Sequence, residues 1–256
     1  MMRKTASIID RKQHQEDFKR MIDIIAFDAD DTLWHNEVYY QSAQEELKRI
    51  LSPWAQPQMI ADRLNMIEMR NLPIYGYGIK AFVLSMIESA YLISEGQMGG
   101  ETIEKILAIG RQMLQAEITL FPHVEDTLHN LSRSFRLMVI TKGDPLDQIR
   151  KIEKSGLEGY FSLVEVIHDK TREAYQNILE KYHFNHNGFI MVGNSLRSDV
   201  VPILELGGTA VHIPANTTWD HENIPDFNTS QNGYYRLESI KQLPQLLNDL
   251  SQSKNV

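Results

Sequence analysis

The sequence predicts an α/β fold: a three-layer, open parallel sheet of Rossmannoid type, with an all-helical segment inserted after its first strand. Three observations predict it. Short apolar, β-branched runs alternate with helical patterns over the second half of the chain. One further run, Ile22 to Phe27, stands apart near the N-terminus and leads into an acidic loop. Between the two, from about Glu37 to Glu117, apolar residues recur at three- and four-residue spacing with no convincing strand.

Residues 1–20 are polar, carry mixed charge and lack the apolar stretch of a signal peptide. They read as an extension ahead of a fold that starts at Met21. Ile22, Ile24, Ile25, Ala26 and Phe27 predict a buried strand ending in Asp28-Ala29-Asp30-Asp31-Thr32. Leu47, Ile50 and Leu51, then Met59, Leu64 and Ile67, then Phe82, Met86 and Tyr91 predict four or five helices. Breaks fall near Ser52-Pro53, from Asn71 to Gly78, and from Gly96 to Gly100. After Phe121-Pro122, a helix near 123–134 precedes the strand Leu137-Met138-Val139-Ile140, and one near 145–155 precedes Leu163-Val164-Glu165-Val166. A helix near 171–182 precedes Phe189-Ile190-Met191-Val192, and one near 197–206 precedes Thr209-Ala210-Val211-His212-Ile213. Such alternation implies right-handed βαβ units. Residues 214–238 read as irregular chain, and a helix near 239–251 closes the fold. The expected division is a core of 21–36 and 118–256, with 37–117 as a helical cap.

Composition narrows the function classes. Lys and Arg number 26 against 34 Asp and Glu, a net charge of −8, which argues against a general nucleic-acid binder. Cysteine is absent, which excludes disulfides, thiolate metal sites and cysteine nucleophiles. No apolar run approaches the roughly 18–20 residues of a membrane span. The expectation is a cytoplasmic protein with no membrane or nucleic-acid partner, acting as a monomer or homodimer on a small molecule.

Chemistry concentrates at the predicted strand ends, where open α/β sheets bind ligands. Asp28 and Asp30 sit two apart on an extended chain, so their carboxylates converge on one side. Such a pair suits a covalent mechanism, in which one carboxylate attacks and the other handles protons. Thr141, with Lys142-Gly143 behind it, ends the second strand and can cradle an anion. Lys170 lies where the helix after His168-Asp169 begins, an ammonium able to neutralise phosphate and carboxylate charge. Gly193-Asn194-Ser195-Leu196-Arg197-Ser198-Asp199 follows another strand, and the oxygens of Asn194 and Asp199 favour Mg²⁺ over Zn²⁺. In the insertion, the segment from Arg70 to Lys80 holds two tyrosines and two glycines and could drop over the sheet edge. Trp34 and His35 are expected near the entrance.

This ordered set resembles the haloacid dehalogenase superfamily, over nearly the whole chain from Met21 to about Ile213. The insertion looks like the cap of the subfamily that includes phosphoglycolate phosphatase, β-phosphoglucomutase and haloacid dehalogenase itself. The resemblance implies a Mg²⁺-dependent phosphatase that hydrolyses a small phosphate monoester through an aspartyl-phosphate. Asp28 matches the nucleophile and Asp30 the general acid and base. Thr141 and Lys170 match the phosphate-binding hydroxyl and the charge-neutralising lysine, and Thr32 and Lys142 join them at the substrate. Asp28, the carbonyl of Asp30, Asp199 and Asn194 match the metal ligands, although Asn194 stands where the family more often has Asp. For Asp30 to act as an acid, its pKa is expected to lie above that of the metal-bound Asp28, an order that direct contact of Asp28 with Mg²⁺ would arrange. A dehalogenase has no Asp at the position of Asp30. A phosphosugar mutase and a silent binding protein of the same fold are the alternatives.

Overall fold

In a computed structural model, the residues described are Glu16, 21–215, Thr217 and 219–253, so the expected extension at 1–20 lies almost wholly outside them. Six strands form one parallel sheet: β1 (Ile24–Phe27), β2 (Leu137–Lys142), β3 (Leu163–Ile167), β4 (Phe189–Gly193), β5 (Thr209–His212) and β6 (Tyr234–Arg236). Their order across the sheet is β3-β2-β1-β4-β5-β6. β1 is wholly buried because a central parallel strand is covered on both faces. Alternation splits it cleanly. Ile25 and Phe27 pack with Val124, Leu128, Ile152 and Leu243 on one face, and Ile24 and Ala26 with Tyr175, Ile178 and Ile203 on the other.

The helices of these two layers are α5 (Val124–Ser132), α6 (Pro145–Ser155), α7 (Arg172–Tyr182), α8 (Val201–Glu205) and α9 (Leu243–Ser253). Between β1 and α5 come α1 (Glu37–Leu51), α2 (Pro57–Tyr75), α3 (Ile79–Ile93) and α4 (Gly100–Gln115). These four enclose a separate apolar cluster that includes Leu47, Leu64, Phe82, Met86 and Ile106. None of the described helices is long and apolar enough to cross a membrane.

Three local readings change. Residues 214–238 are not irregular throughout, because Tyr234–Arg236 adds an edge strand beside β5. Three residues with no apolar run carry no periodic signal, and the pairing depends on the neighbour. The helix expected near 197–206 is a π-helical turn, Leu196–Val200, followed by the short α8. Pro202 in the first turn of α8 has no N–H to extend the earlier ladder. Helix α2 runs on through Asn71 to Tyr75 before the break at Gly76 to Gly78.

Candidate active site

The strand order reverses between β1 and β4, the position at which such sheets form a crevice. The chain leaves β1 at Asp28, whose amide donates to Val192 O at 2.9 Å. Asp28 is buried, and Thr32 Oγ1 donates to its Oδ2 at 2.8 Å. Thr32 also reaches Asn194 Oδ1 at 3.2 Å, tying the β1 loop to the β4 loop. Lys170 Nζ bridges Asp28 Oδ1 at 2.5 Å and Asp199 Oδ1 at 2.7 Å. Lys170 lies ahead of α7 rather than within it, because Thr171 caps that helix by accepting from Ala174 N. Asp199 folds back from the π-turn, and its Oδ2 accepts from Ser195 N at 3.0 Å. Gly193 makes this possible, since a Cβ there would lie 2.2 Å from Asp199 Oδ2.

Burial pushes the Asp28 carboxyl up to about 7, with the Asp199 charge adding to the shift and Lys170 only partly opposing it. Burial also works against the Lys170 charge, but Asp199 and Asp28 outweigh it and hold the proton on the amine. Thr141, next to last in β2, lines the same cavity, and its hydroxyl makes no hydrogen bond to another described residue.

Asp30 has partners that the sequence did not indicate. Burial raises its proton affinity, but Lys151 outweighs it through charge and hydrogen bonds, helped by Gln148 and Trp34, and the carboxyl sits below its usual range. Lys151 Nζ is 2.9 and 2.8 Å from its two oxygens, Gln148 Nε2 is at 2.8 Å and Trp34 Nε1 at 2.7 Å. Burial thus favours the proton on Asp28 while Lys151 disfavours it on Asp30, whereas the expected order is that of Asp28 bound to Mg²⁺. Lys151 lies on α6, and no motif marks it. Trp34 is fully buried rather than at the entrance, and the His35 ring packs 4.0 Å from Phe121. Asp31, with φ +60°, accepts from the amides of Asn36 and Glu37 and so starts α1.

Lys142 reaches the cavity, but Glu222 and Ser198 hold its ammonium, which also lies 4.3 Å from the centre of the Tyr77 ring. Glu222 further accepts from Ser195 and Ser198. Tyr77 packs edge-on to Trp219 at 6.3 Å. The turn between α2 and α3 thus docks on the loops of the sheet, with Gly76 and Gly78 at φ +73° and +116° against His168 and Asp144. The cavity holds about 140 Å³, and Asp28, Asp199, Tyr40, Glu68 and Phe82 are among the residues that line it. That is roughly ten times the space one water needs. Among the described residues, no three His, Asp or Glu side chains converge as a metal cluster.

Fold and site together define an α/β protein with a carboxylate–lysine centre at the switch point of a parallel sheet. The haloacid dehalogenase-like hydrolase family matches residues 22–207, and the chain belongs to that family. The chain is 30% identical over 139 residues to human N-acylneuraminate-9-phosphatase, which covers 52% of this chain and 54% of that protein. It thus spans about half the length of that curated relative. A haloacid dehalogenase-like family hydrolase from Xanthomonas campestris is 32% identical, with a TM-score of 0.80 over 91% of this chain and 95% of that one. A 2-haloacid dehalogenase from Pseudomonas syringae shares the fold at 22% identity, with a TM-score of 0.60 over 90% of this chain and 99% of that one.

Proposed function

We propose that the protein is a Mg²⁺-dependent phosphatase that hydrolyses a small phosphate monoester through an aspartyl-phosphate on Asp28, and that it works in the cytoplasm. The observation that carries this reading is the buried arrangement of Asp28, Lys170 and Asp199, with Asp30 two residues beyond Asp28 and beside the same cavity. The relative that acts on a phosphate ester supports it.

The donor set fits a divalent cation. Asp28, Asp199, the Asn194 amide and the Asp30 carbonyl offer only oxygens, and the two carboxylates Asp28 and Asp199 share the single Lys170 ammonium. Bound there, the ion would shield the phosphate from Asp28 and favour the ionised nucleophile. The protein's own groups do the rest. Lys170 offsets charge on the transferring oxygens, and the Thr141 hydroxyl is placed to donate to one of them. The Asp28 carboxylate attacks phosphorus, the bond from phosphorus to the leaving oxygen breaks, and Asp30 gives that oxygen a proton. Water then attacks the phosphorus, Asp30 takes the proton, and the bond from Asp28 to phosphorus breaks, which frees phosphate. Lys151, Gln148 and Trp34 favour ionised Asp30 and so suit its role as base, and proton donation needs the Lys151 pair to loosen. Helices α1 to α4 serve as a cap over this site.

The test is release of p-nitrophenol from p-nitrophenyl phosphate with Mg²⁺. Asp28→Asn and Asp30→Asn are each expected to lose about a thousandfold or more, and EDTA to abolish the activity. Turnover at the wild-type rate in Asp28→Asn ends the nucleophile assignment.

A further inference from the structure

The cavity has a second end that the phosphoryl chemistry leaves unused. It is built by Tyr40 and Gln44, one turn apart on α1, by Glu68 and Leu72, one turn apart on α2, and by Phe82 on α3. Glu68 is the charged group among them. Burial pushes its carboxyl up to about 7. No hydrogen bond or salt bridge joins it to another described residue. Among the described residues, the cations that line the cavity are Lys142, held by Glu222, and Lys170, held by Asp28 and Asp199. A half-buried carboxylate without a cation favours the protonated form until a cation arrives. A second acceptor lacks a donor in the same cavity, since Gln148 Oε1 is buried without a partner. The Tyr40 hydroxyl likewise makes no hydrogen bond to another described residue. The far end therefore offers the Glu68 charge and the Tyr40 hydroxyl, and among the described residues no cation that lines the cavity is left unpaired for a leaving group that carries a carboxylate.

We propose that the leaving group carries a protonated amine and that Glu68 is its counter-ion, so the substrate class is the phosphate ester of an amino alcohol or amino sugar. The assignment rests on the phosphatase reading above. Glu68 acts on recognition, through a charge-assisted hydrogen bond made in the ground state and kept in the transition state, so its effect falls on KM more than on kcat.

Matched esters test it, with phosphate release measured at fixed Mg²⁺. 2-Aminoethyl phosphate is compared with 2-hydroxyethyl phosphate, and glucosamine 6-phosphate with glucose 6-phosphate. The two pairs separate the amino-alcohol source from the amino-sugar one. In at least one pair the amine is expected to be favoured in kcat/KM by about tenfold or more. That ratio is expected to fall to about one in Glu68→Gln, while Glu68→Lys is expected to turn the preference towards phosphoglycolate, which carries a carboxylate. Melting curves report whether each variant folds, and the wild-type ratio needs no variant. Turnover of p-nitrophenyl phosphate with no amine preference in either pair, or an unchanged ratio in folded Glu68→Gln, overturns the role of Glu68 and leaves the phosphatase reading standing. No phosphate release from any ester, p-nitrophenyl phosphate included, overturns both.

Discussion

Thr32 shows how one hydroxyl organises the site. Its Oγ1 donates to Asp28 and lies within reach of Asn194, so it fixes the nucleophile and couples two loops that are distant in sequence. Thr32→Val keeps the shape and removes the donor. The expected result is a drop in kcat of about tenfold, equivalent to one hydrogen bond of about 1.4 kcal/mol. Steady-state kinetics on p-nitrophenyl phosphate check it, and an unchanged kcat shows that Lys170 alone suffices to hold Asp28. Asp28, Asp30, Thr141 and Asp199 were legible because strand-end position and residue type together restrict what they can do. Lys151, Gln148 and Glu222 were not. Each is a polar residue on a helix or loop, ordinary in sequence, and acquires meaning only through the group it faces.

At the scale of elements, the end of β4 is the most constrained part of the site. Asp199 passes so close above Gly193 that a methyl group cannot fit, and the π-turn returns the carboxylate to that point. Gly193→Ala must displace Asp199 from Lys170 and from Ser195 N. The expected cost is about 1–3 kcal/mol of stability from overpacking, with activity falling more steeply than the melting temperature does. A variant with wild-type activity shows that Asp199 can move without consequence. The turn from α2 to α3 was read as a possible cover for the sheet edge. The Tyr77 ring does reach the loops of the sheet, because positive-φ glycines on both sides turn it towards Trp219 and Lys142. Glycine and tyrosine content gave the turn and the sheet edge it could cover, but not its partners Trp219 and Lys142.

At the scale of the molecule, Glu222 joins the chain between β5 and β6 to the ends of β2 and β4 through Lys142, Ser195 and Ser198. Burial opposes its ionisation, but the Lys142 charge and these bonds outweigh it and bring the carboxyl down to about 2. The folded pKa lies below the unfolded value of 4.5. The linked stability is therefore complete above about pH 4.5 and is lost as pH falls towards 2. It amounts to something on the order of 3 kcal/mol. Glu222→Gln is expected to flatten the acid side of the stability curve, measured by urea unfolding between pH 2 and 5. An identical pH slope in the variant removes Glu222 as the linked group.

Taken alone, the sequence determined the sheet, the helical insertion and the residues at the strand ends, because hydrophobic period and strand-end chemistry are local properties. Only the tertiary structure decided that β6 pairs with β5, that Trp34 turns inward to Asp30, and that Lys151 lowers the proton affinity of Asp30 while burial raises that of Asp28. Partner choice and desolvation depend on which distant segments meet, and neither is written in the spacing of residues along the chain.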